Sequence, residues 1–182
     1  MESKNYTQSY IADPRSTKEI RGMTLNLRTN IGYNTPNKKE FPILNFLEFV
    51  MPIIHDDFAI DVCDKKQMGN IHGLACPEEK CIRIREDVYE GAYNGNGRDR
   101  FTLAHELGHY LMHGKEHVKL ARVQANKKLE AFKNPEWQAN TFAAELLMPI
   151  TLLHSDNPFK IASDFGVSLS AANFRVKKIY KH

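Results

Sequence analysis

The chain has 182 residues, enough for one domain with a hydrophobic core and at most a small appendage. Hydrophobic residues make up 42% and charged residues 26%, which excludes general disorder, and a net charge of +3 is too small to argue for nucleic acid by itself. No apolar run approaches the ~20 residues of a membrane span, the polar start lacks the apolar segment of a secretion signal, and three cysteines cannot build a disulfide scaffold, so a cytoplasmic protein is expected.

Taken in order, residues 1–15 read as a flexible start. Ser16 with Glu19 three residues on is a capping-box pattern, and Ile20, Met23, Leu27 and Ile31 follow at helical spacing until Gly32 and Pro36 stop the helix. A second helix is expected from about Pro42, with Ile43, Leu44, Phe46, Leu47 and Val50 on its apolar face and Pro52 near its end. Residues 58–63, 71–76 and 81–85 are short strand-like runs, read as a small antiparallel sheet. Cys81 to Arg85 alternates apolar and basic residues, as a strand with one wet face does. Residues 98–113 form the next helix. The basic segment 115–133 suits a short helix plus loop or a flap, and Asn134, Pro135 and Glu136 open a helix that stops at Pro149. Two short helices, 158–165 and 169–180, close the chain around Gly166, Val167 and Ser168.

The strongest chemical signal is His105-Glu106-Leu107-Gly108-His109. Histidines at i and i+4 lie one turn apart on one helix face, about 5–6 Å between Cβ atoms, so both imidazoles can reach one zinc ion. Glu106 sits on the adjoining flank, where it can take a proton from a water without being a ligand. The rest of the helix is mostly apolar, so it packs into a core while aiming two histidines the same way. A pair of histidines hydrogen-bonded within the fold is the plainer alternative. Zinc of this kind needs a third protein ligand. His113 continues the i+4 series but lies about 12 Å of rise from His105, too far to share an ion with both. Glu136, on a helix face with Asn140 and small alanines, can complete a His, His, Glu set, while Glu145 points elsewhere, as a surface charge or a partner to a ligand histidine.

The run from Phe101 to His113, followed by Glu136-x-x-Ala-Asn-x-Phe-Ala-Ala-x-Leu-Leu-Met-Pro149, resembles the ImmA/IrrE family of zinc metallopeptidases over roughly residues 40–180. The resemblance implies His105, His109 and Glu136 as ligands of Zn2+, Glu106 as general base, and cleavage of a helix-turn-helix (Xre/cI-like) repressor of a phage, mobile element or stress locus. The expected architecture is α+β: N-terminal helices, a small antiparallel sheet, a zincin-like pair of active-site helices and a C-terminal helical tail. Residues 1–40 are read as an N-terminal extension with one helix. Residues 41–182 are read as a single metallopeptidase domain, of which 158–182 form the tail.

Other features leave choices open. Strand 81–85 is either an edge beside the cleft that pairs with a peptide or a plain edge blunted by Arg83 and Arg85. Tyr89, Tyr93, Tyr110 and the remaining histidines are candidates for stabilising an oxyanion. Cys76 and Cys81 read as structural, and His55, His72, His117, His154 and His182 as ordinary surface or packed residues. The tail has a helix-turn-helix outline ending in Arg175, Lys177, Lys178 and Lys181, so DNA binding is weighed against a helical cap, and the cap is favoured. Rival functions are a non-hydrolytic zinc-containing regulator that binds a repressor or DNA, and the toxin of a toxin–antitoxin pair.

Overall fold

The computed structural model describes residues 6–124 and 129–180. His182, Lys181, residues 1–5 of the N-terminal start and residues 125–128 of the basic segment lie outside them. The described chain is α+β, as expected.

Strand β1 (Tyr6–Ala12) precedes helix α1 (Thr17–Asn30). The capping box at its start is formed: Ser16 Oγ accepts from the Glu19 N–H at 3.2 Å, and Glu19 Oε2 accepts from the Ser16 N–H at 2.7 Å. Helices α2 (Ile43–Asn45) and α3 (Met51–Ile54) are joined by the π-helical turn Phe46–Val50. Pro52 explains the widening: it has no N–H, and its ring would strike the Glu48 carbonyl in a regular helix. Phe41, Ile43, Phe46, Leu47 and Met51 point inward and are fully buried.

Strand β2 (Ala59–Cys63), helix α4 (Lys65–Met68), strand β3 (Gly73–Cys76) and strand β4 (Cys81–Arg85) come next. The sheet order is β2-β4-β3. β3 pairs antiparallel with β4 through the tight turn Pro77–Glu79, whereas β2 pairs with β4 in parallel, Ala59 opposite Cys81 and Cys63 opposite Arg85. The sheet is therefore mixed rather than antiparallel. The chain crosses from β2 through α4 and β3 before β4 forms, and that crossover leaves β2 and β4 pointing the same way. β4 is the central strand, so its reading as an edge beside the cleft is wrong; β3 is the edge. Ile82 and Ile84 are buried, and Arg85 is buried too, donating to Asp87 and to the Gly69 carbonyl. Cys63, Cys76 and Cys81 are free thiols.

Helix α5 (Glu86–Tyr93) leads into α6 (Gly97–Met112), capped by Asn96, whose Oδ1 accepts from the Arg98 N–H at 2.9 Å. The basic segment holds strand β5 (Val118–Gln124), which pairs antiparallel with β1, Tyr10 opposite Leu120. The expected start and flap are thus the two halves of a β-ribbon, an association between distant segments that local pattern does not encode. Helix α7 (Pro135–Leu147) is capped by Asn134, whose Oδ1 accepts from the Trp137 N–H. Helices α8 (Pro158–Phe165) and α9 (Leu169–Tyr180) finish the chain.

The core lies where α6 and α7 pack against the sheet and α1. Leu103, Ala104 and Leu107 meet Ala139, Phe142, Ala143 and Leu146, all fully buried, and each burial of a Leu or Phe stabilises the fold by about 1.5–3 kcal/mol. Gly108 permits the approach: a Cβ there would sit 3.1 Å from the Phe142 side chain. Buried Arg28 of α1 donates to the carbonyls of Leu146, Lys38 and Lys39, fastening the far end of α7. This packing brings the first turn of α7 opposite the second half of α6. Among the described residues, no helix is long and apolar enough to cross a membrane.

Candidate metal centre

His105 and His109 leave α6 on one face, with their Nε2 atoms 3.0 Å apart. Glu136, in the first turn of α7, places Oε2 3.4 Å from His105 Nε2 and Oε1 3.2 Å from His109 Nε2. Ligand atoms of all three lie within 4.8 Å of one another.

The surrounding hydrogen bonds dictate which nitrogens carry protons. The His105 Nδ1–H donates to Asn140 Oδ1 at 3.2 Å, leaving His105 Nε2 bare. The buried Gln138 amide donates from Nε2 to the Asp13 carbonyl at 2.8 Å and the Phe132 carbonyl at 2.7 Å, which turns its Oε1 toward His113. His113 Nε2–H donates to that oxygen at 2.9 Å, so His113 Nδ1 accepts from His109 Nδ1–H at 2.8 Å, and His109 Nε2 is bare as well. Two bare imidazole nitrogens and a carboxylate therefore converge with no proton between them. Burial pushes the His105 imidazole down despite the opposing Glu136 charge, and burial together with His105 and His113 pushes His109 down to about 3, so protonation does not fill the gap near neutral pH. A donor set of this kind fits a cation.

His113 lies outside the candidate donor set, yet it orients His109, a member of it. Replacing it by Phe is expected to weaken metal binding about 10–100-fold, and His113→Gln, which keeps an acceptor, to restore part of it. Competition with a chromophoric chelator measures both; equal affinity in all three proteins would remove this role. Local pattern shows the His, but its link through Gln138 to Asp13 joins segments 125 residues apart.

Glu106 projects to the other flank, 8% exposed, and its Oε2 accepts the Ala75 N–H at 3.0 Å from the edge strand β3. Burial pushes its carboxyl up to about 7, with the Ala75 N–H opposing and the Glu136 charge adding. A cleft of about 350 Å³ joins these groups, lined among others by Gly73, Leu74, Ala75 and Pro77. Gly73 is needed for the approach, because a Cβ there would lie 2.7 Å from Glu106 Cγ. Gly73→Ala is expected to displace Glu106 and lower kcat roughly 10²-fold with metal content unchanged. Kinetics beside metal analysis test this, and a wild-type kcat would show that Glu106 tolerates the shift.

Among the described residues, no tyrosine lines this cleft. Tyr89 donates to the Glu48 carboxylate, Tyr110 packs against Phe58 and His55, and Tyr93 is exposed. His72 lies beside Arg85 and His117 beside Asp13, and His154 is exposed. Glu145 is neither a surface charge nor a partner of a ligand histidine. It is 1% exposed and pairs with Arg21 of α1 and Arg175 of α9.

A helix pair carrying two histidines and a glutamate around one point, with a second glutamate at the edge of a small sheet, defines the class of metallopeptidases. The family described as IrrE N-terminal-like domain, Peptidase M78, matches residues 56–177, and the chain belongs to it. Metallopeptidase ImmA of Bacillus subtilis (strain 168) is 26% identical over 137 residues, 65% of this chain and 75% of that protein. The chain is a metallopeptidase.

Proposed function

We propose that the protein is a zinc-dependent endopeptidase acting in the cytoplasm on a helix-turn-helix transcriptional repressor. The observation that carries the peptidase chemistry is the convergence of three unprotonated donors beside a buried, strand-held Glu106. The repressor as substrate rests on the family resemblance.

His105, His109 and Glu136 would hold the ion, which when bound acidifies a water and polarises a scissile carbonyl. Glu106 would take a proton from the attacking water and pass it to the leaving amine, a role suited to a carboxyl that burial pushes up to about 7. Asn140 and His113 keep the two imidazoles in the required tautomer. The Ala75 N–H on the outer edge of β3 faces the cleft, and that edge aligns an extended peptide by backbone pairing.

The test is intact-mass spectrometry of the helix-turn-helix regulator encoded beside the gene, after incubation with metal-loaded or chelator-stripped protein. Two defined fragments from the loaded protein alone are expected. A regulator that binds yet stays whole in both samples would make the protein a non-hydrolytic regulator.

A further inference from the structure

A groove of about 690 Å³ lies between α6, α7 and α9, next to the metal cleft. Phe101, Trp137 and Phe174 form its apolar walls, and Arg98 and Lys178 stand at its margins. Among the described residues, no acidic side chain lines it. The nearest buried carboxylate, Glu145, is taken by Arg21 and Arg175, and neither Arg98 nor Lys178 enters an ion pair among the described residues. The Lys178 ammonium sits over the Trp137 ring at 5.5 Å, while Phe174 is 68% exposed at the open side.

The groove lies beside the cleft along α6 and α7. Asn140 is in its wall and also accepts from His105, and Glu136, Asn140 and Ala144 follow one another at i, i+4 and i+8 along one face of α7. One turn, about 5 Å, thus separates a metal-binding side chain from the groove.

We propose that the groove docks an acidic segment with an apolar face belonging to the protein substrate, beside the scissile bond. The proposal rests on the peptidase reading for the identity of its occupant. Arg98 and Lys178, the latter over the Trp137 ring, complement carboxylates carried by an apolar helix or strand. Nucleic acid would ask for a longer row of cations than Arg98 and Lys178 supply. Burial, with Arg175 adding, holds the Lys178 ammonium below its ordinary range, and the charge of an incoming carboxylate opposes that lowering.

Trp137 is the single tryptophan of the chain, so its emission reports occupancy directly. The titration uses metal-loaded Glu106→Gln protein and a short synthetic amphipathic peptide bearing Leu, Phe and Glu, with a control in which Lys replaces each Glu. The acidic peptide is expected to shift Trp137 emission and to bind less tightly as salt rises. Arg98→Glu/Lys178→Glu is expected to bind it at least about tenfold more weakly, and Phe174→Ala also more weakly. Both sites are on the surface, and an unchanged melting temperature certifies the fold. Equal response to both peptides, wild-type binding by the double variant, or displacement of the acidic peptide by duplex DNA would overturn the proposal. The readout is binding alone, so an uncut regulator would sink the peptidase reading and leave this result standing by itself.

Discussion

Glu106→Gln is expected to lower kcat/KM for peptide cleavage by about 10²–10⁴-fold, the range that a positioned general base contributes. The amide keeps the volume of the carboxylate, and its oxygen can still accept the Ala75 N–H, so neither the cleft nor the edge strand should shift. What it cannot do is take a proton from water. His105, His109 and Glu136 are untouched, so bound metal should remain at the wild-type ratio. Metal stoichiometry measured beside single-turnover kinetics separates the two effects. Loss of metal together with activity would mean that Glu106 helps to hold the ion, and full activity would remove it from the chemistry.

The largest expected effect on stability lies away from the site, at Glu145. This carboxylate is 1% exposed and bridges Arg175, itself 2% exposed, to Arg21, binding α9 and α1 to α7. Glu145→Gln would leave the Arg175 guanidinium buried without its counter-charge, a loss of roughly 3–5 kcal/mol. For a chain of this length that lowers the melting temperature by on the order of 10 °C. Calorimetry of the single variant and of Glu145→Leu/Arg175→Met tests it. The double variant, which buries no lone charge, should recover part of the loss, and a single variant melting with wild type would show the triad to be dispensable.

The same triad sets a sign for acid stability. Burial by itself raises the Glu145 carboxyl, but hydrogen bonds and charge from Arg175 and Arg21 outweigh it and hold the group below the usual carboxylate range. Its folded pKa is therefore lower than its unfolded one, near 4.5. The stabilisation is fully present above that value and is lost as pH falls through the lower folded value. Denaturation curves should show wild type losing stability more steeply than Glu145→Gln below about pH 4.5.

Much of this protein is legible in local pattern because local physics decides it. Ser16 with Glu19, and Asn134 with Pro135, start helices by satisfying their own backbone donors, so those starts are where the residues say. The i, i+4 spacing of His105 and His109 is a property of any helix, and it puts both rings on one face whatever surrounds them. Glu136 falls on the correct face of α7 for the same reason. Its 3.2 Å approach to His109, however, exists because Gly108 lets α7 lie close on α6.

What pattern does not show is decided by pairing between distant segments. The strand order β2-β4-β3 puts β3 at the edge beside α6 and brings Ala75 to Glu106, though each strand alone reads equally well in either direction. The ribbon of β1 with β5 closes the two ends of the Asp13, Gln138, His113 and His109 chain, which leaves His109 Nε2 bare. Glu145 shows the same division: its helix is evident from sequence, yet whether it meets water, a histidine or two arginines depends on α1 and α9 arriving at its side. The sequence by itself determined the helices that carry the site, α6 and α7, and the donors on them, though not α4 or α5, since the starts of those two site helices need only neighbours along the chain. Tertiary structure alone decided which proton each donor keeps and which strand borders the cleft, since those depend on groups 25 to 125 residues away along the chain.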